Sequence, residues 1–195
     1  MTLTLLLFAA YLIGAIPTGI IITKLAGGED IRKTGSGNIG ASNVYRVAGR
    51  KLGVVTLIGD CLKAVIPLLI ASQLFACAGA TLALVGLAAF LGHCYPVYLG
   101  FKGGKGVATA LGVFLIISPQ TILCALALFA LILWRWRYIS LASISAAGIT
   151  PFLTLLFERS LAIFLITLII AGVVIWRHRA NIDRLLTGNE NKLKL

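Results

Sequence analysis

Acidic side chains are scarce in this chain: six Asp and Glu stand against 17 Lys and Arg among 195 residues. The charged share, 12%, is about half that of an ordinary soluble domain. That shortage excludes a surface clothed in charge on every side, and with it a single water-soluble domain. Cysteine is also sparse. Cys61, Cys77, Cys94 and Cys124 are scattered in or beside apolar segments with no CxxC or Cys/His ligand spacing, so they read as small buried hydrophobes. A basic region ahead of Leu3 and an A-x-A-like cleavage site are both missing, so the first apolar run reads as a retained span rather than a removed signal.

What the chain has instead is long apolar runs, such as Leu3–Thr23, Gly53–Phe75 and Leu161–Trp176, each near the roughly 20 residues a helix needs to cross hydrocarbon. They predict an all-α integral membrane protein, a single polytopic domain over residues 1–195. Seven transmembrane helices are expected at about 3–23, 53–74, 77–92, 106–117, 120–134, 138–157 and 161–177, some of them short because Ser118-Pro119-Gln120 breaks an overlong run. Lys24 to Lys51 holds six basic residues, Lys102 and Lys105 two, Arg135 and Arg137 two, and Arg177 to Lys194 five. Seven spans place all of these on one side. The bias of Lys and Arg toward cytoplasmic loops then puts the N-terminus outside and the C-terminus in the cytoplasm. The net charge of +11 is thus accounted for by membrane orientation and does not call for nucleic acid. Asp60 and Lys63 fall inside a span at i, i+3, where they can neutralise each other as a structural ion pair.

Three polar segments, at about 30–51, 92–106 and 177–191, carry the chemistry. In the first, Gly35, Gly37 and Gly40 allow backbone N–H groups to converge, with Ser36, Asn38 and Asn43 among them, which is the composition of an anion nest. The formal Gly-x-Gly-x-x-Gly match lacks the preceding strand of a dinucleotide site. A helix from Ala41 onward would bring Arg46 and Arg50 to one side and Val44 and Val47 to another, and Arg46, nearer the nest, suits a phosphate. The second segment sets Lys105 among Gly103, Gly104 and Gly106 at the start of a helix, joining a point charge to free N–H groups and the positive end of the dipole. It is not a Walker loop, since Leu99 replaces the first glycine and Gly106 follows the lysine. His93 stands at a helix end ahead of Pro96, suited to a structural hydrogen bond. In the third segment an interfacial helix would set Arg177, Asn181 and Arg184 on one face, with His178 beside Asn181. His178 and Asp183 would lie about 140° apart on such a helix and would not meet.

Together these motifs, Gly35-Ser36-Gly37-Asn38-Ile39-Gly40 with Asn43 and Arg46, Gly92-His93 with Phe101 to Thr109, and Arg177-His178 with Asn181-Ile182 and Glu190, resemble the PlsY family of acyl-phosphate:glycerol-3-phosphate acyltransferases over nearly the whole chain. Ser42 stands where that family has threonine, and Gly100 where lysine is common. The resemblance implies acyl transfer from acyl phosphate to the first hydroxyl of glycerol 3-phosphate at the cytoplasmic side of a bacterial inner membrane, giving lysophosphatidate and phosphate. It implies no cofactor and no metal. Ser36, Arg46, Lys105 and His178 are expected to be catalytic. Gly35, Gly37, Asn38, Gly40, Asn43, Gly103, Gly104, Gly106 and Asn181 are expected to bind substrate, with His93 and Glu190 as further candidates. The attacking hydroxyl would give its proton either to His178 or to a substrate phosphate, whose second pKa lies near neutrality. No residue is placed to form an acyl-enzyme, so direct transfer is expected. Expected partners are the two substrates, membrane lipids and a soluble enzyme that makes acyl phosphate. The rival expectation from composition alone is a transporter of organic phosphate, which would need its polar site near the bilayer midplane, and a third is a non-catalytic phospholipid-binding protein.

Overall fold

A computed structural model describes residues 2–193, so Lys194, counted above among the basic residues, lies outside it. Among the described residues the regular structure is helical: α1 (Thr2–Gly14), α2 (Thr18–Leu25), α3 (Ala41–Ala48), α4 (Arg50–Phe75), α5 (Gly79–Cys94), α6 (Val107–Ile117), α7 (Pro119–Trp136), α8 (Ile139–Glu158), α9 (Leu161–Arg177) and α10 (Arg179–Leu186), with short 3-10 turns at Ile31–Lys33 and Val97–Leu99. The helices fall into two compact units, Met1–Ile117 and Ser118–Leu195.

In unit 1, α1 packs on α5, while α4 packs on α3, α5 and α6. Small residues permit the close approach: a methyl group on Gly14 would collide with the backbone carbonyl of Ala89, and one on Gly112 with that of Cys61. Such small-residue contacts are how helices associate in lipid, where apolar burial between them gains little. The outward faces agree, since Val54, Val55, Ile58, Leu62, Ile66 and Leu69 of α4 are all exposed, a surface that lipid tolerates and water does not. In unit 2, α8 packs against both α7 and α9, and the short α10 rests on α8 and α9.

Four stretches, Arg50–Phe75, Gly79–Leu99, Pro119–Trp136 and Ile139–Glu158, are long and apolar enough to span a membrane, and up to six spans result if two bent pairs each count as one. Two expectations are corrected here. The first run is not one helix, because Pro17 has no N–H to continue the ladder and disfavours helical geometry at Ile16; α1 and α2 meet at a 40° bend. Lys63 Nζ donates to the Ile16 carbonyl, 3.0 Å away, at that break. Likewise Gly49, at φ 91°, interrupts the helix begun at Ala41. Arg50 therefore opens α4 and does not share a helical face with Arg46.

Candidate active site

The first glycine segment of unit 1 is pinned from below and tied from within. Ile31 and Ile39 bracket it and are buried with Val44 of α3 and Ile20 of α2, and each such side chain removed from water contributes roughly 1.5–3 kcal/mol. Val47, by contrast, stays exposed. The tie is Asn43, 1% exposed. Its Oδ1 accepts the Ser36 N–H at 2.8 Å, and its Nδ2 lies 3.1 Å from the Ile31 carbonyl, 3.1 Å from that of Thr34 and 2.9 Å from that of Asn38. One side chain thus organises the loop and has its hydrogen-bonding capacity filled by it. Gly35, at φ 60°, sits directly against that amide oxygen, where a side chain would be strained and would clash. Asn38 Oδ1 accepts the Gly40 N–H at 2.9 Å, a local turn that delivers the chain into α3.

Ser36 and Arg46 are both exposed on this framework. Arg32 is not available in the same way. It forms a two-pronged pair with Asp30, Nη2 to Oδ2 at 2.6 Å and Nε to Oδ1 at 3.0 Å, and hydrogen bonds from the Arg32 side chain and backbone hold the Asp30 carboxyl well below the usual carboxylate range. Gly40 leads into α3 with no acidic residue in its first turn, so the helix N-terminus keeps its positive end for an anion.

The second glycine segment is held by contact. The Gly104 N–H donates to the His93 carbonyl at 3.1 Å, and methyl groups on Gly103, Gly104 or Gly106 would collide with His93, Pro96, Cys94 or Phe90 at the end of α5. The loop therefore lies flat on α5 and passes into α6, whose first turn again contains no acid. Lys105 stands between two of these tight contacts, next in sequence to the glycine under the imidazole. His93 itself is 3% exposed, with Nδ1 3.6 Å from Asp60 Oδ1. The Asp60–Lys63 ion pair expected from spacing forms at 2.9 Å.

Unit 2 carries the third motif. His178 ends α9 and opens α10 across a 56° bend, which corrects the expectation of one continuous face: Arg177 belongs to α9, while Asn181 and Arg184 belong to α10. His178 is 3% exposed, and its Nδ1 lies 2.7 Å from the Val174 carbonyl. A carbonyl can only accept, so Nδ1 carries a hydrogen and donates it to Val174. Glu190 is buried and fully engaged. Its Oε1 accepts from Ser140 Oγ at 2.8 Å and Asn181 Nδ2 at 2.7 Å, and its Oε2 from Arg184 Nε at 2.7 Å. Burial pushes the carboxyl up, but the three hydrogen bonds outweigh it and hold the group below its ordinary 4.5. Ser140 had no signal in the sequence, since it lies 50 residues from its partner. A second tie joins the same ends, the Leu193 N–H donating to the Arg137 carbonyl at 2.7 Å.

Apolar helices with lipid-type faces and small-residue crossings define an all-helical, multi-pass integral membrane protein. A family model described as glycerol-3-phosphate acyltransferase matches residues 4–188. The chain is 59% identical to the glycerol-3-phosphate acyltransferase of Syntrophotalea carbinolica over 97% of each chain. It is 57% identical to that of Geotalea daltonii, over 97% of this chain and 96% of the other. Among solved structures it is similar to PlsY (YgiH), an integral membrane glycerol 3-phosphate acyltransferase, in its glycerol 3-phosphate form. That match has a TM-score of 0.93 and 43% identity and covers 100% of this chain and 96% of the other. The lysophosphatidic acid form of the same enzyme matches with a TM-score of 0.91. The chain belongs to the PlsY family of glycerol-3-phosphate acyltransferases, membrane enzymes of phospholipid synthesis.

Proposed function

We propose that the enzyme takes its acyl group from acyl phosphate and passes it directly to the sn-1 hydroxyl of glycerol 3-phosphate. The hydroxyl oxygen attacks the acyl carbonyl carbon, an ester C–O bond forms, the bond to phosphate breaks, and lysophosphatidic acid and inorganic phosphate leave. The donor is a mixed anhydride that brings its own leaving group. The protein's work is then to bind anions, align reactants and stabilise charge, with no cofactor or metal required.

The observation that carries this reading is that both glycine loops of unit 1 run into the N-termini of helices with acid-free first turns, α3 and α6. Lys105 lies in the second loop itself, and Arg46 stands in the last turn of α3, the helix that the first loop enters. Two anion cradles suit a reaction in which both substrates carry phosphate. Ser36, Arg46 and Lys105 are assigned to phosphate oxygens, Gly35, Gly37, Gly40, Gly103, Gly104 and Gly106 with Asn38 and Asn43 to shaping the loops that present them, since the Gly37, Gly40 and Gly104 N–H groups donate to Thr34, Asn38 and His93, and His178 and Asn181 of unit 2 to the glycerol phosphate. The Val174 carbonyl holds His178 Nδ1, and the attacking hydroxyl gives its proton either to this ring or to a substrate phosphate oxygen. Glu190 is assigned to bracing Asn181.

The proposed topology counts α6 and α9 as short crossings, for seven spans with the N-terminus outside and the site on the cytoplasmic face of a bacterial inner membrane. At 11 residues α6 reaches only about 16 Å, so it crosses only if the bilayer thins or its flanks reach outward. A soluble acyl-phosphate-producing enzyme is the expected supplier.

The test is phosphate release in detergent. Release from acyl phosphate only on addition of glycerol 3-phosphate supports acyl transfer, whereas no turnover without two compartments would favour an organic-phosphate transporter. Ser36→Ala, Arg46→Ala, Lys105→Ala and His178→Ala should each lower kcat/KM by on the order of 100-fold. Near-normal rates in all four would overturn the assignment. Reagent labelling of Lys105 in inverted but not right-side-out vesicles checks sidedness.

A further inference from the structure

One buried polar group in unit 1 takes no part in the chemistry above. Asp60 of α4 is 2% exposed, Lys63 5% and His93 of α5 3%. A buried carboxylate is costly unless paired, and Lys63 already pairs with Asp60 at 2.9 Å while it also donates to the Ile16 carbonyl, 3.0 Å away at the α1–α2 break. His93 turns Nδ1 toward the same oxygen, Asp60 Oδ1, from 3.6 Å.

The other edge of the ring meets the glycine loop. A methyl group on Gly104 would meet Nε2 first, then Cε1 and Cδ2, so the imidazole lies directly against the Gly104 backbone. The Gly104 N–H donates to the carbonyl of the same histidine. The ring is thus a wedge with a fixed charge on one side and the backbone preceding Lys105 on the other. An apolar ring of that size could fill the space, but only a group with a polar edge is also drawn toward the carboxylate across 3.6 Å.

We propose that Asp60 and His93 form a positioning couple that sets the glycine loop carrying Lys105, His93 acting through the loop backbone and Asp60 through His93. This deepens the reading above and rests on Lys105 holding a substrate phosphate. The two can fail separately.

His93→Ala, His93→Gln, Asp60→Asn, Lys105→Ala and the His93→Ala/Lys105→Ala double variant are compared with the parent in detergent, by phosphate release with both substrates varied and by thermal unfolding. Lys105→Ala variants are assayed at raised enzyme concentration. A displaced loop weakens phosphate binding, so His93→Ala and Asp60→Asn should raise KM for at least one substrate by roughly 10- to 100-fold. His93→Gln, which restores a polar end to the wedge, should recover much of the loss. In the Lys105→Ala background, removal of His93 should cost less than about twofold more, because its target is gone.

A fall in kcat at unchanged KM for both substrates is what a smaller active fraction produces, and it would overturn the couple. So would a His93→Ala effect undiminished in the double variant. Near-normal kinetics of Lys105→Ala alone would instead remove the underlying phosphate assignment, and the couple with it. Should His93→Ala fail to fold, His93→Asn keeps a donor toward Asp60 while removing the edge over Gly104, and the same KM rise is expected of it.

Discussion

Unit 1 holds two glycine-rich loops of similar composition that are made rigid in opposite ways. Residues 34–40 are organised by hydrogen bonds to one buried amide, Asn43, with Ile31 and Ile39 as apolar pins. Residues 103–106 are organised by contact, glycines lying on His93, Cys94, Pro96 and Phe90 with no space for a Cβ. Glycine therefore does different work in each. In the first loop it chiefly supplies backbone angles, at Gly35 and Gly37, with close contact at Gly35 as well, and in the second it chiefly supplies emptiness, with Gly106 also at φ 82°. A loop held by hydrogen bonds fails when a polar partner is deleted, and a loop held by contact fails when an atom is added.

The largest effect should come from adding one atom to the packed loop. Gly104→Ala forces the imidazole or the loop to move, and activity should drop by roughly 100-fold or more, with a smaller change in unfolding temperature; a rate within threefold of the parent would show that the packing yields. Next comes deletion in the hydrogen-bonded loop. Asn43→Ala strands the Ser36 N–H and three carbonyls and should destabilise by about 2–3 kcal/mol, and Asn43→Asp should be no better, since it accepts from Ser36 but sets a carboxylate among carbonyl oxygens. Recovery of stability by Asn43→Asp, measured by thermal unfolding in detergent, would mean that only the Ser36 bond matters.

A third prediction extends the comparison to unit 2, where the device is a buried charge. Because the folded Glu190 carboxyl sits below its ordinary 4.5, its contribution is complete above that value and is lost as pH falls through the lowered one. Parent protein should lose more unfolding temperature between about pH 5 and pH 3 than Glu190→Gln does; equal losses would mean the brace contributes nothing to pH dependence. The smallest effect belongs to Gly100. Although its φ is 58°, a Cβ there meets nothing within 4 Å, so Gly100→Lys should cost about 1–2 kcal/mol and leave KM values unchanged. A large kinetic defect would give that turn a role in substrate binding.

Helix positions were legible in the sequence to within a few residues for the runs now seen as α4 to α9, because an unbroken apolar stretch of span length has few other solutions in a membrane. The ion pair of Asp60 and Lys63 was legible for the same kind of reason, its i, i+3 spacing being local. The break at Pro17 was overlooked because hydrophobicity ran straight through it, although proline itself was the signal. Gly49 and the bend at His178 also hid inside favourable periodicity. The partners of Asn43, Glu190 and His93 were not legible at all.

By itself, then, the sequence determined the membrane-spanning helices, the placement of glycines and cations in loops between them, and the family, since each is written in residue type and short-range spacing. Tertiary structure alone decided that Asn43 is spent on its own loop, that Glu190 meets Ser140 from 50 residues away, and that the His93 ring lies on Gly104. Those outcomes depend on which helix faces meet and how closely. Hydrogen bonds and excluded volume act over a few ångströms in space, and no local pattern in the chain encodes that distance.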